Sequence, residues 1–148
     1  MGTALFEGEQ LFRLIPQRTP MVMVDAFYEG SDTEALTGLT VQPDNLFCAD
    51  GQLTEPGLIE HIAQSASALA GYRAFRKRQP APVGYIGEIR KMSLFRLPVA
   101  GESLRTSVRI LSEVMNVSLL TAETVSDGEV VASGQMKIFI REPDGASA

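Results

Sequence analysis

Tryptophan is absent from the chain, histidine and cysteine occur once each, and no apolar run is long enough to cross a bilayer. Each scarcity removes a class of function. The single cysteine, Cys48, cannot close an internal disulfide, and a domain of 148 residues does not need one, so a reducing compartment is expected. No catalytic motif surrounds Cys48, which reads as a small buried hydrophobe. The single histidine, His61, has no second ligand at metal spacing, and no metal site is expected. No stretch approaches the ~20 apolar residues of a spanning helix. The first residues, MGTALFEGEQLFRL, carry acids where a secretory leader has basic residues and then an unbroken apolar stretch, so the expected location is the cytoplasm. Positive charge is also short, with 13 Lys and Arg against 18 Asp and Glu and a formal net charge of -5. That balance argues against a nucleic-acid binder, which needs a broad basic face.

What is present is apolar patterning: 45% of the residues are hydrophobic, enough for one domain spanning 1–148, with the polar run 142–148 as a flexible tail. Leu11, Phe12, Leu14 and Ile15 fall at helical spacing before Pro16 and predict a short N-terminal helix. MVMVDAFYEG is rich in β-branched and aromatic residues and ends at Gly30-Ser31-Asp32, which predicts a strand, a turn and a return strand over 34–42. After a loop at 43–53, Thr54 stands as an N-cap with Glu55 and Pro56 in the first turn. Leu58, Ile59, Ile62, Ala63, Ala66, Leu69 and Ala70 then recur at i, i+3 and i+4. The helix is dominated by small residues down to Gly71, so other elements can wrap closely around it. Four strands are expected after it: 83–97, then 103–111, where Leu104, Thr106, Val108 and Ile110 alternate with polar residues, then a hairpin turning at Ser126-Asp127-Gly128. Its return strand is expected to show Val130, Ala132, Gly134, Met136, Ile138 and Ile140 on one face. The sum is an α+β domain: an antiparallel sheet of about six strands wrapped around one long central helix, the hot-dog fold, whose open edges lead to pairing into a dimer.

Two motifs sharpen this. Ile15-Pro16-Gln17-Arg18-Thr19-Pro20 runs on through an apolar stretch to Asp25, and Glu60-His61-Ile62-Ala63-Gln64 stands on the central helix. From about Leu11 to Ile140 the chain resembles the β-hydroxyacyl-ACP dehydratases of the FabZ and FabA class. Within that class it is closer to the aryl-polyene and flexirubin branch, whose spacing it shares from Gly87 to Gly101. The resemblance implies removal of water from a 3-hydroxyacyl thioester, carried on the phosphopantetheine of acyl carrier protein, with no other cofactor. It implies Glu60 as the group that handles the hydroxyl, the Gly87 backbone N–H as the polariser of the carbonyl, and Gln64, Pro20 and Ile86 beside the substrate. Two departures stand out. Gln17 occupies the position of the family's catalytic histidine, and Pro56-Gly57 stands nearer Glu60 than the usual Pro-Gly pair.

Dehydration needs a base for the α-proton, an acid for the departing hydroxyl and donors for the charge on the thioester oxygen. An amide such as Gln17 offers a donor and an acceptor but no proton exchange, and the loss of one acid/base partner removes about 10²- to 10⁴-fold in rate. His61 invites the idea of a relocated base, but adjacent helix positions point about 100° apart, so with Glu60 facing the substrate His61 faces elsewhere, and a contribution to the neighbouring subunit's site is weighed against a structural histidine. Arg18 and Asp25 are expected to tie loop to strand. Arg73, Arg76, Lys77 and Arg78 at the helix end, with Arg90 and Lys91, suit either the helix dipole or a dock for the acidic carrier protein. Three functions follow: a dehydratase relying on Glu60, a thioesterase in which Glu60 and Gln17 activate water, and a non-catalytic subunit completing a heteromeric dehydratase.

Overall fold

Alternation in Leu104, Thr106 and Val108 makes one face of a strand dry, and these three side chains are buried while Ser103, Ser107 and Arg109 face solvent. The computed structural model describes residues 3–141. Its strands are β1 (Phe6–Glu7), β2 (Ala26–Gly30), β3 (Glu34–Thr40), β4 (Cys48–Ala49), β5 (Gln52–Leu53), β6 (Val83–Leu94), β7 (Ser103–Val114), β8 (Val117–Ser126) and β9 (Glu129–Arg141). One α-helix, α1, spans Glu55–Arg76. The main sheet has seven strands in the order β1-β2-β3-β7-β8-β9-β6, every neighbouring pair antiparallel. The seventh strand, beyond the six expected, is the two-residue β1, which pairs Phe6 with Phe27. A separate small hairpin joins β4 and β5 just before the helix.

The helix is buried on almost every side from Gly57 to Gly71, which explains why so many of its residues are small. At Gly71 even one methyl is too much: a Cβ there would meet the Leu14 carbonyl oxygen at 1.8 Å. Leu58, Ile62, Ala66 and Leu69 face the core with Phe27, Leu104, Val108 and Met136. Among the described residues no helix is long and apolar enough to cross a membrane.

Local details differ from the sequence expectations for identifiable reasons. The N-terminal helix is a 3-10 helix, Gly8–Arg13, too short to hold α-helical bonding against the packing of Leu11 and Leu14. Met21 to Asp25 do not form a strand; helix side chains bond the Met21 carbonyl and the Met23 backbone, and only Asp25 bonds the neighbouring strand, through Gly38. Thr54 holds the N-cap position, but its hydroxyl donates to the Phe47 carbonyl instead of accepting from the helix. Along β9 the expected face breaks at a bulge: the register against β8 shifts between Thr124 and Val125, which turns Val130 out to solvent and buries Val131. The expected tail, 142–148, lies outside the described residues.

Candidate active site

The central helix and the edge strand together create the site. Glu60, Ala63 and Ser67 recur on one face of α1, and Gly84, Tyr85 and Ile86 of β6 lie opposite them. With Gln17 at one side and Ile138 of β9 below, they line a cavity of about 220 Å³. The structure therefore brings Gln17, Glu60 and Ile86 together, although they are far apart in sequence. Ala63, Ser67, Gly84, Tyr85 and Ile138 were not among the expected site residues. Ser67 was legible in principle, since a residue seven after Glu60 returns to the same helix face.

Glu60 is held by its neighbour one turn on. The Gln64 side-chain N–H₂ donates to Glu60 Oε2 at 2.8 Å and to the Met21 carbonyl at 2.8 Å, while Gln64 Oε1 accepts from Met23 N–H at 2.6 Å. Because a backbone donor and a backbone acceptor fix which end is oxygen, the amide has one orientation. Gln64, expected beside the substrate, is wholly buried, lies outside the cavity lining and holds Glu60 Oε2 against the 21–23 segment. Glu60 Oε1 takes no hydrogen bond among the described residues, and that oxygen is available to a ligand.

Gln17 brings a second open valence, because its side-chain oxygen is buried without a hydrogen-bond partner. Its position is set by Arg18, whose guanidinium donates to the Ile15 and Gln17 carbonyls at 2.8 Å each and to Phe12 at 3.2 Å, closing the 3-10 helix. Asp25 Oδ2 accepts from Thr40 N–H at 2.7 Å. Burial raises the Asp25 pKa against the opposing pull of that bond. Asp25 ties the loop to the sheet, as expected, whereas Arg18 ties the loop back onto the 3-10 helix instead of a strand.

His61 is fully buried and turned away from the cavity, so a proton-carrying role for it does not match its place. Nδ1 lies 2.6 Å from the Met23 carbonyl oxygen and must carry the proton; Nε2 lies 2.7 Å from Thr106 Oγ1 and accepts from that hydroxyl. The chain continues from Thr106 to Thr124 at 2.7 Å. Burial lowers the His61 pKa to about 4, partly opposed by the Met23 bond, and the ring is neutral at physiological pH.

The remaining expected residues scatter. Gly87 sits at a bulge between Ile86 and Glu88, outside the cavity lining, and a Cβ on it would meet the Phe139 ring at 1.9 Å. Pro20 is exposed and outside the lining. The cations fall into two groups: Arg73, Arg76, Lys77 and Arg78 at the helix end, and Arg90 and Lys91 on the edge strand. Arg73 makes a two-point pair with Glu113 at 2.7 and 3.0 Å, Arg76 lies 3.5 Å from Asp32, and Arg90 lies 3.5 Å from Glu88. Lys77, Arg78 and Lys91 are exposed without an ion pair among the described residues. The Cys48 thiol donates to the Gln42 carbonyl at 3.3 Å, and burial followed by Asp44 raises its pKa, which suits no nucleophile.

A family model described as ApeP dehydratase matches residues 9–147. The chain belongs to the ApeP-like dehydratase family. It is 30% identical, over 96% of this chain and 97% of the relative, to the 3-hydroxyacyl-[acyl-carrier-protein] dehydratase FabZ of Thermomicrobium roseum. To the FabZ of Vibrio cholerae serotype O1 it is 29% identical, over 87% of this chain and 88% of the relative. Among solved structures it resembles the dehydratase heterocomplex ApeI:P from Xenorhabdus doucetiae, with a TM-score of 0.83 at 20% identity over 91% of both chains. ApeP-like membership and this likeness establish the hot-dog fold.

Proposed function

We propose that this chain is a dehydratase of 3-hydroxyacyl thioesters carried by acyl carrier protein, in which Glu60 is the acid/base residue and Gln17 the hydrogen-bonding partner of the substrate. The observation that carries it is the shared cavity: one carboxylate with a free oxygen, one half-buried amide whose buried oxygen is unpaired, and walls that are otherwise largely apolar. Cavities of this kind, mostly apolar with a few convergent polar groups, suit an acyl chain with one reacting end.

The elimination itself needs only one net proton movement. The Cα–H bond breaks, the Cα=Cβ bond forms, and the Cβ–O bond breaks as the hydroxyl takes a proton and leaves as water. The proton lost from carbon is the one gained by oxygen, so a single carboxylate that takes it and hands it on returns to its starting state. Glu60 can fill both roles if both atoms reach the same oxygen, while the substrate hydroxyl donates to the Gln17 oxygen and is held in place. Gln64 fixes Glu60 Oε2, which confines the exchange to Oε1.

A second reading rests on the edge of the sheet. Among the described residues β6 pairs only with β9, and Tyr85, Ile86 and Ile89 beside Phe139 leave apolar surface open along it. A second hot-dog chain against this edge would bury them, and a partner bearing a histidine would supply the base that Gln17 does not; ApeI:P is a dehydratase made as a heterocomplex.

Mass spectrometry of a 3-hydroxyacyl-ACP incubated with the purified chain separates these readings. Water loss that falls about 10²- to 10⁴-fold in Glu60→Gln, and rises in Gln17→His, supports the self-sufficient dehydratase. Water loss only after a histidine-bearing partner is added supports the shared site. Free acid released in place of an enoyl product overturns both in favour of a thioesterase.

A further inference from the structure

α1 carries two serines, Ser65 and Ser67, that differ in what their hydroxyls do. Ser65 Oγ donates back to the His61 carbonyl at 2.8 Å, the usual way a helical serine satisfies itself, and meets Thr37 Oγ1 at 2.7 Å. Ser67 is also buried, at 6% exposure, yet its Oγ has no hydrogen-bond partner among the described residues, and the residue borders the cavity that Glu60 and Gln17 line. A buried hydroxyl left unpaired is costly, and such groups in a folded protein require an explanation. Ser67 lies seven residues beyond Glu60 on the same helix face, about 10.5 Å along the axis. Its neighbours on the wall, Ala63, Gly84 and Ile138, offer no side-chain polar atom. Ile138 also borders a second cavity of about 340 Å³, lined by Ala66, Leu69 and Ala70 and by charged groups such as Arg73, Lys77 and Glu113.

We propose that Ser67 is a specificity-determining residue: its hydroxyl pairs with an oxygen atom carried by the acyl chain two helical turns beyond the reacting carbons. The inference rests on the reading of the cavity as an acyl site. An oxygen at that depth, as hydroxyl, ether or keto group, completes the Ser67 hydrogen bond. A plain alkyl chain leaves the hydroxyl unpaired or forces it to turn back onto the helix. The site therefore selects oxygen-bearing acyl chains over plain ones of the same length.

The test is equilibrium binding of 3-hydroxyacyl pantetheine thioesters to the assembled protein by calorimetry, with an ether oxygen moved carbon by carbon along chains of one length. The wild type is expected to show one position of tightest binding, with about fivefold higher affinity than the plain chain, the worth of one net hydrogen bond. Ser67→Ala, and separately the near-isosteric Ser67→Cys, should remove that optimum and leave plain-chain affinity equal or improved. A flat response to oxygen position in the wild type, or an optimum that survives in both variants, overturns the role of Ser67 while leaving the acyl site standing. If no thioester of either kind binds, the acyl site itself falls, and this inference with it.

Discussion

At the scale of single residues, the two motifs divide their labour differently from what their spacing suggests. Glu60 reaches the cavity, but Gln64, which shares its motif, is spent on Met21, Met23 and the Glu60 carboxylate. Gln64→Ala is expected to lower turnover by releasing Glu60 and also to destabilise the fold by about 1–3 kcal/mol, since it strands a buried Met23 N–H. Turnover measured beside a thermal melt checks both parts. His61 gives a pH prediction with a defined sign. Its pKa is about 4 in the folded chain and about 6.5 when unfolded, so the unfolded chain binds more protons between those values. The stability from keeping the ring neutral is complete above pH 6.5 and is lost as pH falls toward 4. Between pH 7.5 and 5 the loss is about 2 kcal/mol, or a fall of about 4–8 °C in melting temperature. Because the chain has only one histidine, its imidazole proton resonances report the titration without ambiguity. A midpoint near 6.5 in the folded protein would remove the argument.

At the scale of elements, the central helix was legible from the start signals at Thr54, Glu55 and Pro56 and from apolar and small residues recurring at i, i+3 and i+4, although the folded helix is buried on almost every side. What the period leaves open is which small residue is indispensable. Gly71 is decided by the approach of the Leu14 carbonyl from the N-terminal segment, and that obstacle is backbone, which cannot swing aside. Gly71→Ala should therefore destabilise by at least about 3 kcal/mol in chemical denaturation, where the same change on an exposed helix position would stabilise. The strands were legible where alternation is regular, as in β7, and misread where a bulge intervenes, as at Val130 and Val131 of β9. A bulge changes which face a residue occupies without changing the composition of the strand, so periodicity alone cannot locate it.

At the scale of the whole molecule, the edge strand β6 links the cavity to an open edge of the sheet. It supplies Tyr85 and Ile86 to the cavity and leaves Ile89 exposed on the same open edge, and bulges follow Ile86 and Arg90. Such irregularity restricts pairing to a partner with a matching edge. Ile89→Lys is expected to weaken association severalfold in sedimentation experiments while leaving the unfolding midpoint of the dissociated chain within about 0.5 kcal/mol, because the side chain is not part of the core. An unchanged association constant would place the interface elsewhere. The sequence by itself determined the α+β class, the central helix, the antiparallel pattern and the paired motifs around Gln17 and Glu60, because period and local turn chemistry act between near neighbours. Only the tertiary structure decided that His61 is locked in the core, that Gln64 serves Glu60, and that Ser67 and Tyr85 share the cavity with Gln17. Those facts depend on which distant backbone groups arrive beside each side chain, and that is set by packing across the sheet and helix rather than by spacing along the chain.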